Sequence, residues 1–312
     1  MGLNFVHFSI IVRTNDVVRL SCTLPLRGKE YAAACRSFSC HWPGRVCESC
    51  STSETCGWFL VFGQRLTSDS AALKRHQKPP LPFVFSFPAT DLFTAESTEC
   101  ECGLVVIGRA IPYLEMLLNG FEELLLNGVY PATAEVIQIS CRDFQGALQQ
   151  TSVLHGSAQS GDIVPKNLVI TSAEGLLESR TWVGSELHLR LLSPLRLLEE
   201  GRHVVCFDFS RFMRSVMRRV SSLTYYYGEN EEFDCDFKEL SRLADAVICT
   251  ENHFLYANNK NKKLAGISGH GIFSGDFSQL VPFLAIGSFV HTGKGSTFGM
   301  GAFVLHSDAD GT

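Results

Sequence analysis

The residues best suited to chemistry lie near the carboxyl end, in a run that reads HTGKGSTFGMG. Four glycines in this run expose backbone N–H groups and let a phosphate backbone approach closely. Its lysine supplies a point charge, and its hydroxyl side chains can donate to phosphate oxygens. The run therefore predicts a phosphate-binding loop, although a tight glycine turn closing a hairpin would have the same composition. The candidate contacts are His291, Gly293, Lys294, Gly295, Ser296, Thr297, Gly299 and Gly301.

A nucleotide-binding P-loop is the obvious rival for the same run. The order G-x-x-x-x-G-K-[ST], which cradles the phosphates of a nucleotide, is absent from it. We also expect no nucleotide-binding domain after the run, because only a short segment of the sequence follows it. We therefore exclude a nucleotide site here.

A second chemical signal is the cysteine cluster C-x6-C-x2-C-x5-C, formed by Cys40, Cys47, Cys50 and Cys56. Four thiolates at this spacing suit a tetrahedral zinc ion, which we favour as a structural site. An iron–sulfur cluster could use the same ligands, and a reduced loop that holds nothing is the third alternative. In each case we expect the cluster to stabilise the amino-terminal half rather than to do chemistry.

Two basic segments could contact a polyanion. Arg211, Arg214 and Arg218 are spaced three and four residues apart, so a helix would place them on one face. A solvated face balanced by the acids at 229–236 is the alternative. Lys260 and Lys262, with asparagines between, form a second basic patch in a predicted loop.

Composition limits the classes of protein to consider. The chain has 312 residues, of which 45% are hydrophobic and 19% charged, and this describes a folded protein with a sizeable core. Its net charge of −5 gives no global basic signature, so any nucleic-acid site must come from local clustering. The amino terminus predicts a first strand rather than a signal peptide, and no apolar window has the length of a membrane span. We expect a cytoplasmic protein with reduced thiols.

The apolar patterns predict strands alternating with helices in each half of the chain. The strands are expected at 4–21 (as a hairpin), 100–110, 133–141, 166–171, 183–192, 263–273 and 302–305; the helices are expected at 29–38, 112–126, 208–223, 236–249 and 276–286. This order suits an α+β fold of two tandem ferredoxin-like domains, the first with a cysteine-rich insertion. We place the domains at 1–178 and 179–312.

Several segments, taken in order, resemble one known family. They are the run from Val290 to Val304, Ser193-Pro194-Leu195-Arg196-Leu197, the segment from Met217 to Leu223, the glycine-bearing strand 264–271, Ile286-Gly287, Leu24-Pro25-Leu26-Arg27-Gly28, the four cysteines and Gly108-Arg109-Ala110. In this order they look like the CRISPR-associated endoribonucleases of the RAMP superfamily that process precursor crRNA. The resemblance covers most of the chain, and no single motif decides it.

The resemblance implies a fold and an activity. Members of the family have two ferredoxin-like domains and bind CRISPR repeat RNA. They cut it without a metal ion when a ribose 2′-OH attacks the adjacent phosphate, which leaves a 2′,3′-cyclic phosphate and a 5′-OH. The resemblance further implies no cofactor for catalysis, repeat RNA and crRNA as partners, effector-complex subunits as further partners, and a homodimer as one candidate state.

The resemblance also suggests catalytic residues. Relatives often use a histidine near the first helix, helped by tyrosine and lysine. The corresponding candidates are His41 as general acid or base, Tyr31 to orient the 2′-OH and Lys29 to stabilise phosphate charge. His41 lies inside the cysteine cluster and has a structural role as its alternative.

Three other functions compete with this reading. A non-catalytic RAMP subunit would hold RNA within an effector complex, as the net acidity of the chain favours. A metal-dependent hydrolase is disfavoured, because the H-E-x-x-H and deaminase signatures are absent. A purely structural zinc-loop protein would leave the glycine-rich run unexplained.

Overall fold

The computed structural model describes residues 2–14, 24–40, 42, 46–75, 78–87, 99–127, 134–143, 145–153, 164–165, 167–178, 184–229 and 235–307. Within these ranges the chain is α+β, as predicted, and each half forms its own antiparallel sheet. Every helix of this part of the chain is too short or too polar to cross a membrane.

The first half is built around a central strand, β1 (Asn4–Thr14), whose alternate residues face opposite sides of the sheet. The sheet order is β2-β3-β1-β4-β5, with β6 also paired to β1. This is the strand order of a ferredoxin-like unit, extended at one edge. The elements are β1, α1 (Gly28–Ser39), α2 (Gly57–Phe62), α3 (Ser70–Arg75), β2 (Phe83–Ser86), β3 (Glu99–Ile107), α4 (Leu114–Leu126), β4 (Ala134–Arg142), β5 (Leu148–Val153), β6 (Ile170–Ser172) and α5 (Ala173–Glu178).

The second half repeats this architecture with an extra helix and a small hairpin. Its main sheet has the order β10-β12-β7-β13, with β11 paired to β12, and β8 pairs only with β9. The elements are β7 (Glu186–Leu195), β8 (Leu198–Glu199), β9 (Arg202–His203), α6 (Phe209–Tyr227), α7 (Phe237–Ala246), β10 (Ile248–Asn252), β11 (Leu255–Ala257), β12 (Gly266–Ser274), α8 (Val281–Val290) and β13 (Phe303–Ser307).

The two halves of the molecule contribute residues to one common hydrophobic core. Phe5, Val105 and Ile107 of the first sheet belong to the same buried cluster as residues of α6 and α8. Helix α8 is apolar almost throughout because it contacts α6, α5, β2 and β13. A hydrogen bond from the Tyr227 hydroxyl to the Pro80 carbonyl (2.8 Å) adds a polar link between the halves. Together, these contacts fix the second half against the first.

Some predicted elements differ from the observed ones. Residues 4–14 form one strand, and residues 15–23, where the turn and second arm of a hairpin were predicted, lie outside the described residues. The predicted helix 236–249 ends at Ala246, and β10 follows it at once. The division at residue 178 stays a prediction, although the two sheets draw their strands from 4–172 and 186–307.

Candidate functional site

The glycine-rich run forms a compact loop that joins α8 to β13. Gly293, Gly295, Gly299 and Gly301 all adopt positive φ angles, between 65° and 92°, which residues with a Cβ rarely adopt. At Gly301 a Cβ would also lie 1.9 Å from the carbonyl oxygen of Thr292. Glycine is therefore required here by backbone conformation and by space.

Hydrogen bonds attach the loop to the end of β7. The amide of Lys294 donates to the Arg196 carbonyl (2.8 Å), and the amide of Gly301 donates to the Pro194 carbonyl (3.1 Å). Within the loop, the amide of Thr292 donates to the Gly301 carbonyl (3.1 Å). The loop is thus held by backbone contacts, which leaves the Lys294 side chain exposed.

The carboxyl-terminal part of the loop packs into the first half of the molecule. Phe298 joins the aromatic cluster of Tyr31, Phe83 and Phe85. Its ring lies so close to Gly28 that a Cβ there would approach it to 2.7 Å. The loop therefore touches the start of α1, which is the helix that carries Lys29.

Burial divides the predicted phosphate contacts into two groups. Gly293 and Gly295 are half-buried and Lys294 is exposed, so these residues can meet a ligand. Ser296, Thr297, Gly299 and Gly301 are buried, and their positions do not support direct contact with RNA. Their role in the fold is to shape the loop.

His291 also lies inside the structure. Burial, with Arg219 nearby, lowers the pKa of His291 to about 3, so its imidazole is neutral at physiological pH. A neutral, buried ring brings no positive charge to a phosphate. The fold therefore does not support the predicted phosphate contact of His291.

The predicted catalytic residues have different environments. Lys29 is exposed at the first turn of α1, beside the loop. Tyr31 is completely buried, and its hydroxyl donates to the Leu117 carbonyl (2.9 Å). With its hydroxyl engaged inside the core, Tyr31 does not reach a bound substrate, and the fold does not support its predicted orienting role. His41 lies outside the described residues.

A basic cavity of about 750 Å³ opens between the loop, α6 and the β8–β9 hairpin. Gly293 of the loop lines it, and so does Pro80 of the first half. Of the described residues, seven cationic ones line it, against two acidic ones, Glu199 and Glu200. The cations are Lys78, Arg196, Arg211, Arg214, Arg218, Arg219 and Lys294.

The arginines predicted to share a helix face do so, but not all are equally available. Arg211 pairs with Glu199 (3.2 Å), and Arg214 makes two bonds to Asp245 (2.5 and 2.7 Å). Among the described residues no acidic partner contacts the exposed Arg218. Arg218, Lys294 and Lys78 are accordingly exposed cavity charges that no acidic side chain of the described residues engages.

Sequence reasoning missed Lys78, Arg196 and Arg219 as cavity residues. A signal existed for Arg196, because a charged residue interrupts the apolar segment SPLRLL. Arg219 follows Arg218 in sequence, but its guanidinium points to the base of the loop, where Nε donates to the Val290 carbonyl (2.7 Å). Lys78 comes from a segment of the first half whose position depends on the tertiary fold.

Other predicted nucleic-acid contacts lie elsewhere. Lys260 and Lys262 are exposed between β11 and β12 and do not line the basic cavity. Tyr225 and Tyr227 use their hydroxyls in bonds to Thr67 and to the Pro80 carbonyl. These hydrogen bonds join the two halves of the molecule.

The four clustered cysteines surround a separate cavity of about 350 Å³. Arg36 reaches into this region, with Nη2 3.7 Å from the Cys47 sulfur and its guanidinium 4.9 Å from the centre of the Trp58 ring. The described residues contain no group of three or more His, Cys, Asp or Glu side chains that could hold a metal ion. The geometry thus gives no support to zinc, and the metal site stays a prediction.

Comparison with known families agrees with the resemblance predicted from the sequence. Residues 189–303 match the family model described as CRISPR-associated endoribonuclease Cas6, and residues 19–163 match a model described as an N-terminal domain. The first match includes the glycine-rich loop and most of the residues that line the basic cavity. No curated protein sequence matches the chain significantly.

Solved structures show the same fold at low sequence identity. A Cas6 product complex superposes with a TM-score of 0.57 and 14% identity, covering 97% of this chain and 100% of that one. Thermus thermophilus Cas6 gives 0.55 and 11%, with 98% and 100% covered. A Cas6-RT-Cas1–Cas2 complex gives 0.51 and 11%, with 97% of this chain and 29% of that chain covered.

Proposed function

We propose that the chain is a member of the CRISPR-associated endoribonuclease Cas6 family, whose model matches residues 189–303, and that it processes CRISPR repeat RNA by a single cut that needs no metal ion. The observation that carries this proposal is the basic cavity beside the glycine-rich loop. A loop held by backbone bonds, with Lys294 at its exposed turn, suits recognition of a sugar–phosphate backbone. The start of α1 touches the same loop, so a bound RNA would pass close to Lys29.

The proposed reaction is a transesterification within the RNA. The 2′-oxygen attacks the adjacent phosphorus and the bond from phosphorus to the 5′-oxygen breaks, which gives a 2′,3′-cyclic phosphate and a 5′-OH. A base must take the 2′-OH proton and an acid must protonate the leaving oxygen. We assign His41 to one of these proton transfers and Lys29 to the charge on the phosphate. Tyr31 has no role in this scheme because its hydroxyl is buried.

The relatives indicate partners of the same system. Solved Cas6 structures include a product complex and a Cas6-RT-Cas1–Cas2 complex. We propose repeat RNA as the substrate and other CRISPR proteins as recipients of the product. A homodimer stays a prediction.

The test is incubation of the purified protein with the repeat RNA of its own locus in EDTA, with both product ends mapped. We expect one cut, a 2′,3′-cyclic phosphate and a 5′-OH. The same RNA with one 2′-deoxy substitution at the cut should bind equally and stay intact, because it lacks the nucleophile. Cleavage of that deoxy substrate, or cleavage only when a divalent metal ion is added, would contradict the mechanism.

A non-catalytic RNA-holding subunit is the second candidate. The burial of Tyr31 favours it, since the predicted catalytic triplet loses one member. Tight binding of the unmodified repeat without any cut would establish this second function. Cleavage that His41→Ala abolishes, with RNA affinity retained, would establish the first.

A further inference from the structure

Arg196 is a buried cation on the wall of the basic cavity. It directly follows β7, it is among the residues that line the cavity, and only 8% of its surface is exposed. Arginine is almost never buried to this extent without a partner. Yet its Nε has no hydrogen-bond partner among the described residues. A buried N–H left without an acceptor is unfavourable.

Arg219 on α6 is half-buried and also carries a shielded polar atom without a partner among the described residues. Its Nε is satisfied by the Val290 carbonyl (2.7 Å), but its Nη2 is shielded from solvent and has no partner within the described part of the chain. Arg219 lines the same cavity as Arg196. Burial lowers its pKa to about 10, so the group is still protonated at neutral pH.

Both arginines also hold the beginning of the glycine-rich loop. The Arg196 carbonyl accepts from the Lys294 amide (2.8 Å), and the Arg219 side chain binds the residue that precedes His291. A Cβ at Gly293 would lie 2.6 Å from the Arg196 carbonyl oxygen, so loop and arginine are in direct contact. A ligand bound by these guanidinium groups would therefore be bound at the base of the loop.

The acceptor that suits these groups is an anion. Of the two carboxylates that line the cavity, Glu199 is already paired with Arg211 (3.2 Å). Guanidinium groups present several N–H donors in a planar fork, which matches the oxygens of a phosphate. At about 750 Å³, the cavity has room for more than a single small anion.

We propose that Arg196 and Arg219 bind the phosphate backbone of the RNA inside this cavity and act as positioning residues for the glycine-rich loop. This inference rests on the proposed function, because it takes the repeat RNA as the ligand. It goes beyond the exposed cavity residues Arg218 and Lys294, because Arg196 is buried and Arg219 is half-buried in the wall of the same cavity. Neither arginine takes part in the chemical step.

The experiment is a phosphate scan of a repeat RNA made uncleavable by a 2′-deoxy substitution at the cut. Each RNA carries one neutral methylphosphonate linkage, and its affinity is measured with wild-type protein, Arg196→Gln and Arg219→Gln. The matched control is Arg242→Gln, which removes an exposed arginine of α7 that pairs with Glu239 outside the cavity. Urea unfolding of each variant monitors the fold.

With wild-type protein we expect about tenfold weaker binding when a linkage inside the cavity is neutral. Each glutamine variant should bind the unmodified RNA about tenfold more weakly and should no longer respond to at least one such linkage. The slope of log affinity against log salt should fall by roughly 0.7 for each lost phosphate contact. The control, Arg242→Gln, should show the same dependence of affinity on the position of the neutral linkage as the wild-type protein; this dependence is called the phosphate map.

Two results would overturn the inference. If the glutamine variants keep the complete wild-type map, the arginines do not bind the backbone, whereas the cleavage assay would still support the proposed function. If wild-type protein does not bind the RNA, both proposals fail. Should a glutamine variant unfold, Arg196→Lys and Arg219→Lys decide instead: they keep the charge but lose the planar fork, and an unchanged map would contradict the assignment.

Discussion

Replacing Gly301 by alanine tests how closely the glycine-rich loop folds on itself. The residue has a φ of +65°, and a Cβ would lie 1.9 Å from the Thr292 carbonyl oxygen. The left-handed conformation alone costs about 1–2 kcal/mol for a residue with a Cβ. Displacing a packed backbone adds about 1–3 kcal/mol. We therefore expect Gly301→Ala to lower the free energy of unfolding by about 2–5 kcal/mol.

The matched control is Gly146→Ala, in the turn between β4 and β5. Gly146 has a φ of +84°, but a Cβ there would meet nothing within 4 Å. Its alanine variant should lose only the conformational part, about 1–2 kcal/mol. Urea unfolding gives both values, and RNA affinity should fall for Gly301→Ala alone. Equal destabilisation of the two variants would refute the close approach of the loop to Thr292.

Four further predictions concern the cavity arginines, the contact between the two halves, the pH dependence of stability and the predicted zinc site. Arg218→Gln should weaken RNA binding more than Arg211→Gln, because Glu199 already engages Arg211 (3.2 Å); equal losses in a binding titration would contradict this. Tyr227→Phe should lower the free energy of unfolding, measured by urea titration, by about 1–2 kcal/mol, because the Pro80 carbonyl loses its hydrogen-bond donor. The control is Tyr256→Phe, which should leave this free energy nearly unchanged, because the Tyr256 hydroxyl makes no hydrogen bond in the described part of the chain. Burial lowers the pKa values of His7 to about 4 and of His291 to about 3, so the unfolded chain takes up protons first as the pH falls. The contribution of neutral His291 to the free energy of unfolding is therefore complete above pH 6.5 and is lost on acidification, by at most about 1.4 kcal/mol per pH unit. His291→Gln should flatten the pH dependence of the urea midpoint between neutral pH and about pH 5. If the predicted zinc site exists, elemental analysis of the purified protein should find one zinc ion per chain, and Cys47→Ser and Cys50→Ser should remove it. Purified wild-type protein without zinc, together with cysteine variants as stable as the wild type, would refute the zinc prediction.

The long periodic elements could be predicted from the sequence because their patterns are strong. Helix α6 was expected at 208–223 and runs from Phe209 to Tyr227, with its arginines on one face and Phe212, Val216 and Val220 buried on the other. Two ferredoxin-like units followed from the order of such elements. Strands β10 and β11 were missed because nearly all of their residues are exposed, so no apolar alternation marks them.

The candidate site could be predicted only in part, since sequence spacing carries no information about burial. The glycine-rich run predicted the loop and its requirement for glycine. The sequence does not show that Ser296 and Thr297 are buried while Lys294 is exposed. Tyr31 illustrates the same limit. Its place on the first helix suited catalysis, and only the tertiary fold shows its hydroxyl bound to the Leu117 carbonyl.

Net charge is a poor guide to the partners of this protein. The chain carries −5 overall, and this argued against a polyanionic ligand at first sight. Within the part of the chain that the structure describes, the fold nevertheless gathers seven cationic residues and two acidic ones around one cavity. Because a concave, low-dielectric wall concentrates the field of the charges that line it, the potential inside the cavity can be strongly positive although the whole molecule is acidic. RNA affinity should accordingly fall when a cationic residue of the cavity is neutralised or when the salt concentration is raised. The same charge change elsewhere on the surface should leave the affinity unchanged.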